Sequence, residues 1–335
     1  IPRLCQVEIN HPGLSQKTCS IGIDDRAGTM ERGMEAFDIV IVGAGPAGCA
    51  AAIHSLRYGT RMRLVSDEPV GGLLGAASRV DNFPGLPSRP PGSSISRILA
   101  HQLDANGITL YRRHISSITS TGTGFILTTG SGNRFESRTV VLCTGTNPIE
   151  WTLPGGIDPG AAPRILRDIR CLPETLDGAP VAIIGSGEAA LDSALSVRTR
   201  LGCPIVFTRG NRLKASEMLM KRFTQSGITW VRGHEALSVR SESDQMTVES
   251  RVDGKPSRDT FRHILVCIGR NPRWERLRDL GLGTPPIHIE TGIAGVFAAG
   301  DLITSHARYA GIAIGDGIEA IERARRFLLE RTTTA

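Results

Sequence analysis

The sequence predicts an α/β protein made of two parallel-sheet units, and three observations carry that prediction. An apolar strand-like run leads into a glycine turn and an alanine-rich helix twice, first from residues 38–42 and again from 181–184. The length of 335 residues suits two domains, at roughly 150 residues each. Apolar content of 40% with 21% charged residues fits a chain that buries real cores. Glycine is frequent, at 39 residues, while aromatic content is only 4%. That balance suits tight turns and close backbone approach to a ligand.

The first unit reads FDIVIVGAGPAGCAAAIHSLRYGTRMRLVSDE from Phe37. Residues 38–42 form a buried strand, and RMRLVS (61–66) forms the next one. Between them Gly43, Gly45 and Gly48 give G-x-G-x-x-G, with Pro46 and Ala47 inside the motif. Strand, glycine turn, helix and strand make a Rossmann-like dinucleotide unit. Gly43 permits the tight turn, Gly45 lets the backbone approach a pyrophosphate, and Gly48 lets the helix pack close on the strand. The helix N-terminus then offers free N–H groups to phosphate. An acid for the ribose hydroxyls is expected after the second strand. Ser66 holds that place with Asp67 and Glu68 behind it. Asp67 is the candidate, and a solvated turn is the alternative.

The second unit begins at APVAIIGSGEAALDSALSV. Gly185, Gly187 and Ala190 give G-x-G-x-x-A, with Glu188 and Ala189 opening the helix. The next strand is PIVF (204–207), and no acid closes it. Thr208, Arg209, Gly210, Asn211, Arg212, Leu213 and Lys214 follow instead. Cations there suit a 2′-phosphate, which favours NADPH over NADH. A solvated basic loop is the competing explanation.

Other classes are disfavoured. A net charge of +6 comes without a nucleic-acid module, and the densest basic run, 209–222, already has a nucleotide to meet. Cysteines stand at 5, 19, 49, 143, 171, 203 and 267, in no C-x-x-C or zinc spacing. A reducing, cytoplasmic setting is the expectation. No apolar stretch of 18 residues occurs, so no membrane span is expected. Residues 1–36 read as a polar extension without an assigned role.

Two such units point to FAD in one and NAD(P)H in the other, with the protein positioning the two rings. At this level the chain resembles the low-molecular-weight thioredoxin reductase family from about residue 37 to 326. GAGPAG (43–48) is similar to its FAD phosphate loop. GGLL (71–74) and DNFPG (81–85) are similar to its flavin-side segments, and LCTGTNP (142–148) to the turn closing the first FAD segment. GVFAAGDLITSHARYAGIAIGDG (295–317) is similar to its last FAD segment, with Tyr309 in place of a glutamine. The resemblance implies two Rossmann-like domains of three-layer ββα type. Residues 37–151 and 270–330 would form a discontinuous FAD domain and 152–269 an inserted NAD(P)H domain. TLPGG (152–156) and GRNPRW (269–274) would connect them.

The resemblance also implies roles. Gly72, Leu73, Asn82, Thr144 and Gly145 join the first glycine turn around FAD. Gly300 and Asp301 serve the ribityl chain, and Arg308, Tyr309 and Ala310 meet the flavin at a helix N-terminus. Glu188, Ala189, Arg209, Arg212 and Lys214 serve NAD(P)H. The family's H-R-R-x-x-x-R signature aligns here as Thr208, Arg209, Gly210 and Lys214, a looser set of charges. The family's C-x-x-C stands just before the second nucleotide strand. Here Cys171 aligns with its inner cysteine, Asp168 with the partner cysteine, and Leu172 with the expected acid. Without two thiols no intramolecular disulfide relays electrons. Cys171 then packs as a relic, cycles through a sulfenic acid, or forms a mixed disulfide, with Arg167 and Arg170 nearby to favour its thiolate. His306 is a candidate proton donor near the flavin edge.

These readings predict an FAD-dependent NAD(P)H oxidoreductase of thioredoxin-reductase-like type. It would pass electrons directly to ferredoxin, flavodoxin, a small molecule or oxygen. A low-turnover flavin-binding sensor or structural protein is the alternative from another class. A disulfide reductase using one cysteine is the third. The resemblance further implies a homodimer, and neither a nucleic acid nor a metal is expected as partner.

Overall fold

The run EAFDIVIV becomes β1 (Glu35–Val42), so the strand begins two residues before the end of the expected extension, residues 1–36. From Ile39 onward its side chains alternate between two buried faces, as the two-residue period of a strand requires. Ile39 and Ile41 enter one core while Val40 and Val42 enter the other. The computed structural model describes residues 34–86, 88–303 and 307–333.

The connection from β1 is α1 (Pro46–Ser55), which leads to β2 (Met62–Val65), parallel to β1. After α2 (Gly92–Ala105), β3 (Leu110–Tyr111) extends that side of the sheet. On the other side β1 pairs in parallel with the long β6 (Arg134–Leu142). The first half of β6 carries the antiparallel β5 (Phe125–Thr129), which in turn pairs β4 (Ile115–Ser120). Its second half pairs in parallel with β17 (Val296–Ala298). One core packs α1, α2 and α6 (Ala310–Thr333) on the sheet through residues such as Leu99, Leu103, Ile321 and Leu328.

The second unit repeats this plan. β9 (Pro180–Ile184) is flanked by β10 (Cys203–Phe207) and β11 (Thr229–Val231) on one side, and by β15 (His263–Val266) and β8 (Ile165–Leu166) on the other. All of these pairings are parallel. α3 (Glu188–Thr199) and α4 (Glu217–Gln225) cover one face, with Leu191, Val197 and Phe223 buried against Val181 and Ile183. The antiparallel strands β12 (His234–Glu242), β13 (Gln245–Val252) and β14 (Lys255–Phe261) cover the other, with Met246, Val248 and Phe261 against Ala182 and Ile184. Helices, parallel sheet and antiparallel sheet make three layers, as expected.

The chain crosses between the two sheets at a short antiparallel pair, β7 (Thr146–Pro148) and β16 (Arg270–Pro272), after which α5 (Glu275–Asp279) rejoins the first unit. TLPGG does not make the crossing. It lies along β12, with the Gly155 N–H donating to Leu237 O at 2.8 Å. No helix among the described residues is long and apolar enough to cross a membrane.

Candidate functional site

In both units the strand order reverses beside the first strand, between β1 and β6 and between β9 and β15. In open α/β sheets ligands bind at the carboxyl ends of strands flanking such a switch point. The glycine turns sit there. Gly43 has φ +111°, and a Cβ on it would lie 2.2 Å from Cys143 O, just past the end of β6. Gly48 is equally constrained, since its Cβ would meet Gly43 O at 1.8 Å. Gly45 differs, with nothing within 4 Å of a Cβ built there. It caps α1 without a side-chain hydrogen bond, Pro46 occupies the first turn, and that turn holds no acidic residue. Bare N–H groups facing open space fit a pyrophosphate.

Flanking segments close on this turn. The Gly71 N–H donates to Ala44 O at 2.8 Å, and a Cβ on Gly72 would lie 3.2 Å from Gly45 Cα. Leu73, half-buried, follows in the same short helical turn (Gly72–Ala76). Gly300, at φ +71°, abuts Ala47, with 3.0 Å from its Cβ position to Ala47 Cβ, and donates its N–H to Asp316 Oδ2 at 3.1 Å. Burial pushes the Asp301 carboxyl up, while Arg308 and Arg270 pull it back. Ala310 opens α6, so the expected helix N-terminus is in place behind half-exposed Tyr309.

Other expected FAD residues make bonds within the chain. Asp67 is exposed and pairs with His114 Nδ1 at 3.0 Å, while Ser66 Oγ accepts the Glu68 N–H. The Thr144 hydroxyl donates to Arg273 O at 2.7 Å, and Gly145 O accepts the Arg273 N–H. Arg308 Nη1 donates to Arg270 O at 2.9 Å. These side chains brace the crossing between the sheets. Asn82 is exposed in its turn. His306 lies outside the described residues.

The second turn matches the first in its packing. Gly185 has φ +149°, and its Cβ would meet Cys267 O at 2.2 Å. Gly187 caps α3 without a side-chain bond, and the nearest atom to its Cβ position, Lys214 O, is 4.0 Å away. Ala190 is fully buried and Ala189 exposed. The segment after β10 folds back over this turn: the Lys214 N–H donates to Ser186 O at 2.6 Å, and Glu188 Oε1 accepts the Ser216 N–H at 3.0 Å. Arg209, Arg212 and Lys214 are exposed. Thr208 is buried, accepts the Trp230 indole N–H and donates to Gly210 O.

Cys171 is exposed at the end of a short turn, Ile169–Cys171. Its basic neighbours are hydrogen-bonded to other groups. Arg167 Nη1 donates to Ile149 O at 2.8 Å. Arg170 forks onto Asp168, reaches Gly72 O at 3.0 Å through Nη1, and lies 3.8 Å from Glu68. Asp168 caps the turn by accepting the Arg170 N–H. Burial pushes the Asp168 carboxyl up, but its bonds to Arg170 outweigh that and hold it below the usual range. Leu172 is 4% exposed and belongs to the core of the second unit, where an acid would be unpaired. Cys143 and Cys267 lie one residue past β6 and β15 rather than inside those strands. Burial pushes the Cys143 thiol up strongly and Cys267 to about 11, a Ser193 hydrogen bond offsetting part of the latter.

Sequence reasoning missed the contacts joining the units. Asp192, on α3, accepts the Ser78 N–H at 2.7 Å and the Ser78 hydroxyl. Arg270 donates to Thr146 Oγ1 and O, both at 2.8 Å. These partners are more than a hundred residues apart and no motif marks them.

Residues 37–326 match the model of the pyridine nucleotide-disulphide oxidoreductase family. The bifunctional thioredoxin reductase/thioredoxin of Mycobacterium leprae is 24% identical, over 88% of this chain and 66% of that protein. An alkyl hydroperoxide reductase component from Xanthomonas campestris pv. phaseoli is 27% identical, over 90% of this chain and 59% of its own length. The chain thus spans two-thirds or less of these relatives. The crystal structure of Lactococcus lactis thioredoxin reductase superposes with a TM-score of 0.78 at 26% identity, covering 88% of this chain and 99% of that one.

Proposed function

The chain belongs to the pyridine nucleotide-disulphide oxidoreductase family, and from that premise we propose that it is an FAD-dependent NADPH oxidoreductase that passes electrons directly to an acceptor. Thioredoxin-reductase-like members of this family use FAD and NADPH. The observation that carries the reading is the repeated glycine turn at two switch points, each with an uncapped helix N-terminus behind it. The first turn, with Gly72, Gly300 and Asp301 around it, is assigned to FAD. The second, with Arg209 and Lys214 beside it, is assigned to NADPH.

Bound FAD supplies the two-electron chemistry between nicotinamide and acceptor. The chain's own residues bind and orient. The N–H groups at the start of α1 neutralise pyrophosphate charge, and Gly45 leaves it room. Arg209 and Lys214 offer charge to a 2′-phosphate. The start of α6 places positive dipole where charge develops on reduction. Asp168 and Leu172 stand where a second thiol and an acid would be, which supports transfer without a dithiol to ferredoxin, flavodoxin, a small molecule or oxygen. The exposure of Cys171 favours a second reading, disulfide reduction through one thiol. A homodimer is proposed from the family alone.

Purified protein should be yellow and release FAD, not FMN. Stopped-flow mixing with NADPH should bleach it rapidly. Protein that takes up no FAD would defeat the assignment. Protein that binds FAD without bleaching would be a flavin-binding protein with little turnover.

A further inference from the structure

Loop 71–78 is gripped from both sides. Towards the first unit, its Gly71 N–H bonds Ala44 O and its Gly72 lies against Gly45, so the loop walls the first glycine turn. Towards the second unit it makes three contacts. Arg170 Nη1 donates to Gly72 O at 3.0 Å, from a side chain anchored on Asp168. Ala76 packs on the core formed by Ile169, Leu172 and Leu191. Ser78 donates its N–H and its hydroxyl to the Asp192 carboxylate. Such a carboxylate is half-desolvated: burial pushes it up, the Ser78 bonds and Arg222 pull it down, and Asp81 opposes them. A charge held at that cost, with both oxygens taken by one residue of the other unit, fixes the loop in place.

We propose that loop 71–78 is a clasp, and that Arg170 and Asp192 are positioning residues tying the second unit to the wall of the first phosphate turn. Docking of the second unit and occupancy of the first turn by FAD are thereby linked. Linkage is reciprocal: whatever frees the loop weakens FAD, and FAD holds the loop. Asp168, at the register of a redox cysteine, works here as the anchor of the clasp. The inference rests on FAD being the ligand of the first turn.

The test uses the whole chain with Arg170→Ala, Asp192→Ala, the double variant and Asp192→Asn. Amide hydrogen exchange is followed over a peptide spanning 71–79, with peptides from β1 and β9 as internal references. FAD affinity is titrated by flavin fluorescence. In the double variant the loop should exchange faster with β1 and β9 unchanged, and the FAD Kd should rise by about 5-fold or more. Asp192→Asn keeps an acceptor for the Ser78 N–H and should stay nearer to wild type than Asp192→Ala. Faster loop exchange with an unchanged Kd overturns the linkage, and unchanged exchange overturns the clasp. If protection is lost everywhere in the Asp192→Ala and double variants, Arg170→Ala carries the comparison, and the same two outcomes decide it. Wild-type protein that binds no FAD defeats the FAD assignment and the linkage with it. Exchange in the cofactor-free protein still decides whether the clasp exists.

Discussion

At the first glycine turn the N-terminus of α1 faces open space with no acid in its opening turn, whereas at the second Glu188 opens α3 and the Lys214 segment bonds across the turn. Beneath that difference the packing is the same. Gly43 and Gly185 each leave 2.2 Å between a notional Cβ and the carbonyl of a cysteine just past the neighbouring strand. The shared part is what a parallel sheet demands where the strand order reverses. The part that differs is what each unit lays over its turn. The first is walled by uncharged backbone at Gly71 and Gly72. The second is walled by a loop with Arg209, Arg212 and Lys214. On the proposed assignment, ligand preference would lie in the cover, and foldability in the floor.

The largest effects should come from breaking the floor. Gly43→Ala and Gly185→Ala place a methyl group against a backbone carbonyl at a φ that side chains rarely adopt. Each should destabilise by about 3 kcal/mol or more, read as a lower denaturation midpoint. Gly45→Ala has room for its methyl and an ordinary φ of −70°. It should fold normally and bind FAD more weakly, because the methyl enters the space proposed for phosphate. Equal destabilisation by Gly45→Ala and Gly43→Ala would erase the distinction between floor and cover.

That distinction also explains what the sequence revealed. The glycines were legible because their requirement is local: a positive φ, a close carbonyl, a helix start. The basic cover was legible because it follows its strand directly. The brace formed by Thr144, Arg273, Arg270 and Arg308 was not, because it joins three distant segments whose side chains had plausible duties at a ligand. The same holds for Ser78 with Asp192. Arg170 was visible only as a charge near Cys171, and its partner in the other unit, Gly72 O, offers no side chain to notice. TLPGG resembled a linker, but its carbonyls and N–H groups were needed by the edge of β12.

A tenfold effect is expected from the cover of the second turn. Arg209→Ala should remove most of a preference for NADPH over NADH in flavin reduction, since a charged hydrogen bond contributes about 1.5–3 kcal/mol and this loop is exposed. The Kd for FAD should not move. If wild-type protein uses both nucleotides equally, the cover is merely solvated and the two turns differ only in their packing.

Smaller effects should follow the paired cysteines beneath the turns. Cys143 is buried and its thiol is pushed up further than that of half-buried Cys267, which reaches about 11 from 9.0. Alkylation of native protein at pH 8 should modify exposed Cys171 and Cys203 first, Cys267 slowly, and Cys143 only on unfolding. The sign for stability follows from the same shifts. A thiol whose folded pKa is raised binds its proton more tightly when folded, so its stabilisation is complete below about pH 9 and is lost as pH rises towards 11. Denaturation midpoints should therefore fall over that interval. Flat midpoints, or Cys143 reacting as fast as Cys267, would show the two floors to be less tightly closed than their geometry indicates.

The smallest effect is expected at the segment that leads into the second unit and has no counterpart in the first. Cys171 is exposed, Asp168 and Arg170 beside it are engaged with each other and with Gly72, and Leu172 is spent in the core. Hydride transfer from nicotinamide requires no thiol. Cys171→Ser should thus leave the rate of flavin bleaching by NADPH within about twofold of wild type, a difference below about 0.5 kcal/mol. Turnover with a direct acceptor such as oxygen or ferredoxin should persist. Stopped-flow bleaching and steady-state turnover must be read together, because they separate the two readings of this residue. If bleaching is intact but turnover fails with every acceptor, Cys171 is a working thiol on the oxidising side, and single-thiol disulfide reduction replaces direct transfer. If both persist, direct transfer stands without a thiol, and Asp168 and Arg170 are left with their bond to each other and to Gly72 O.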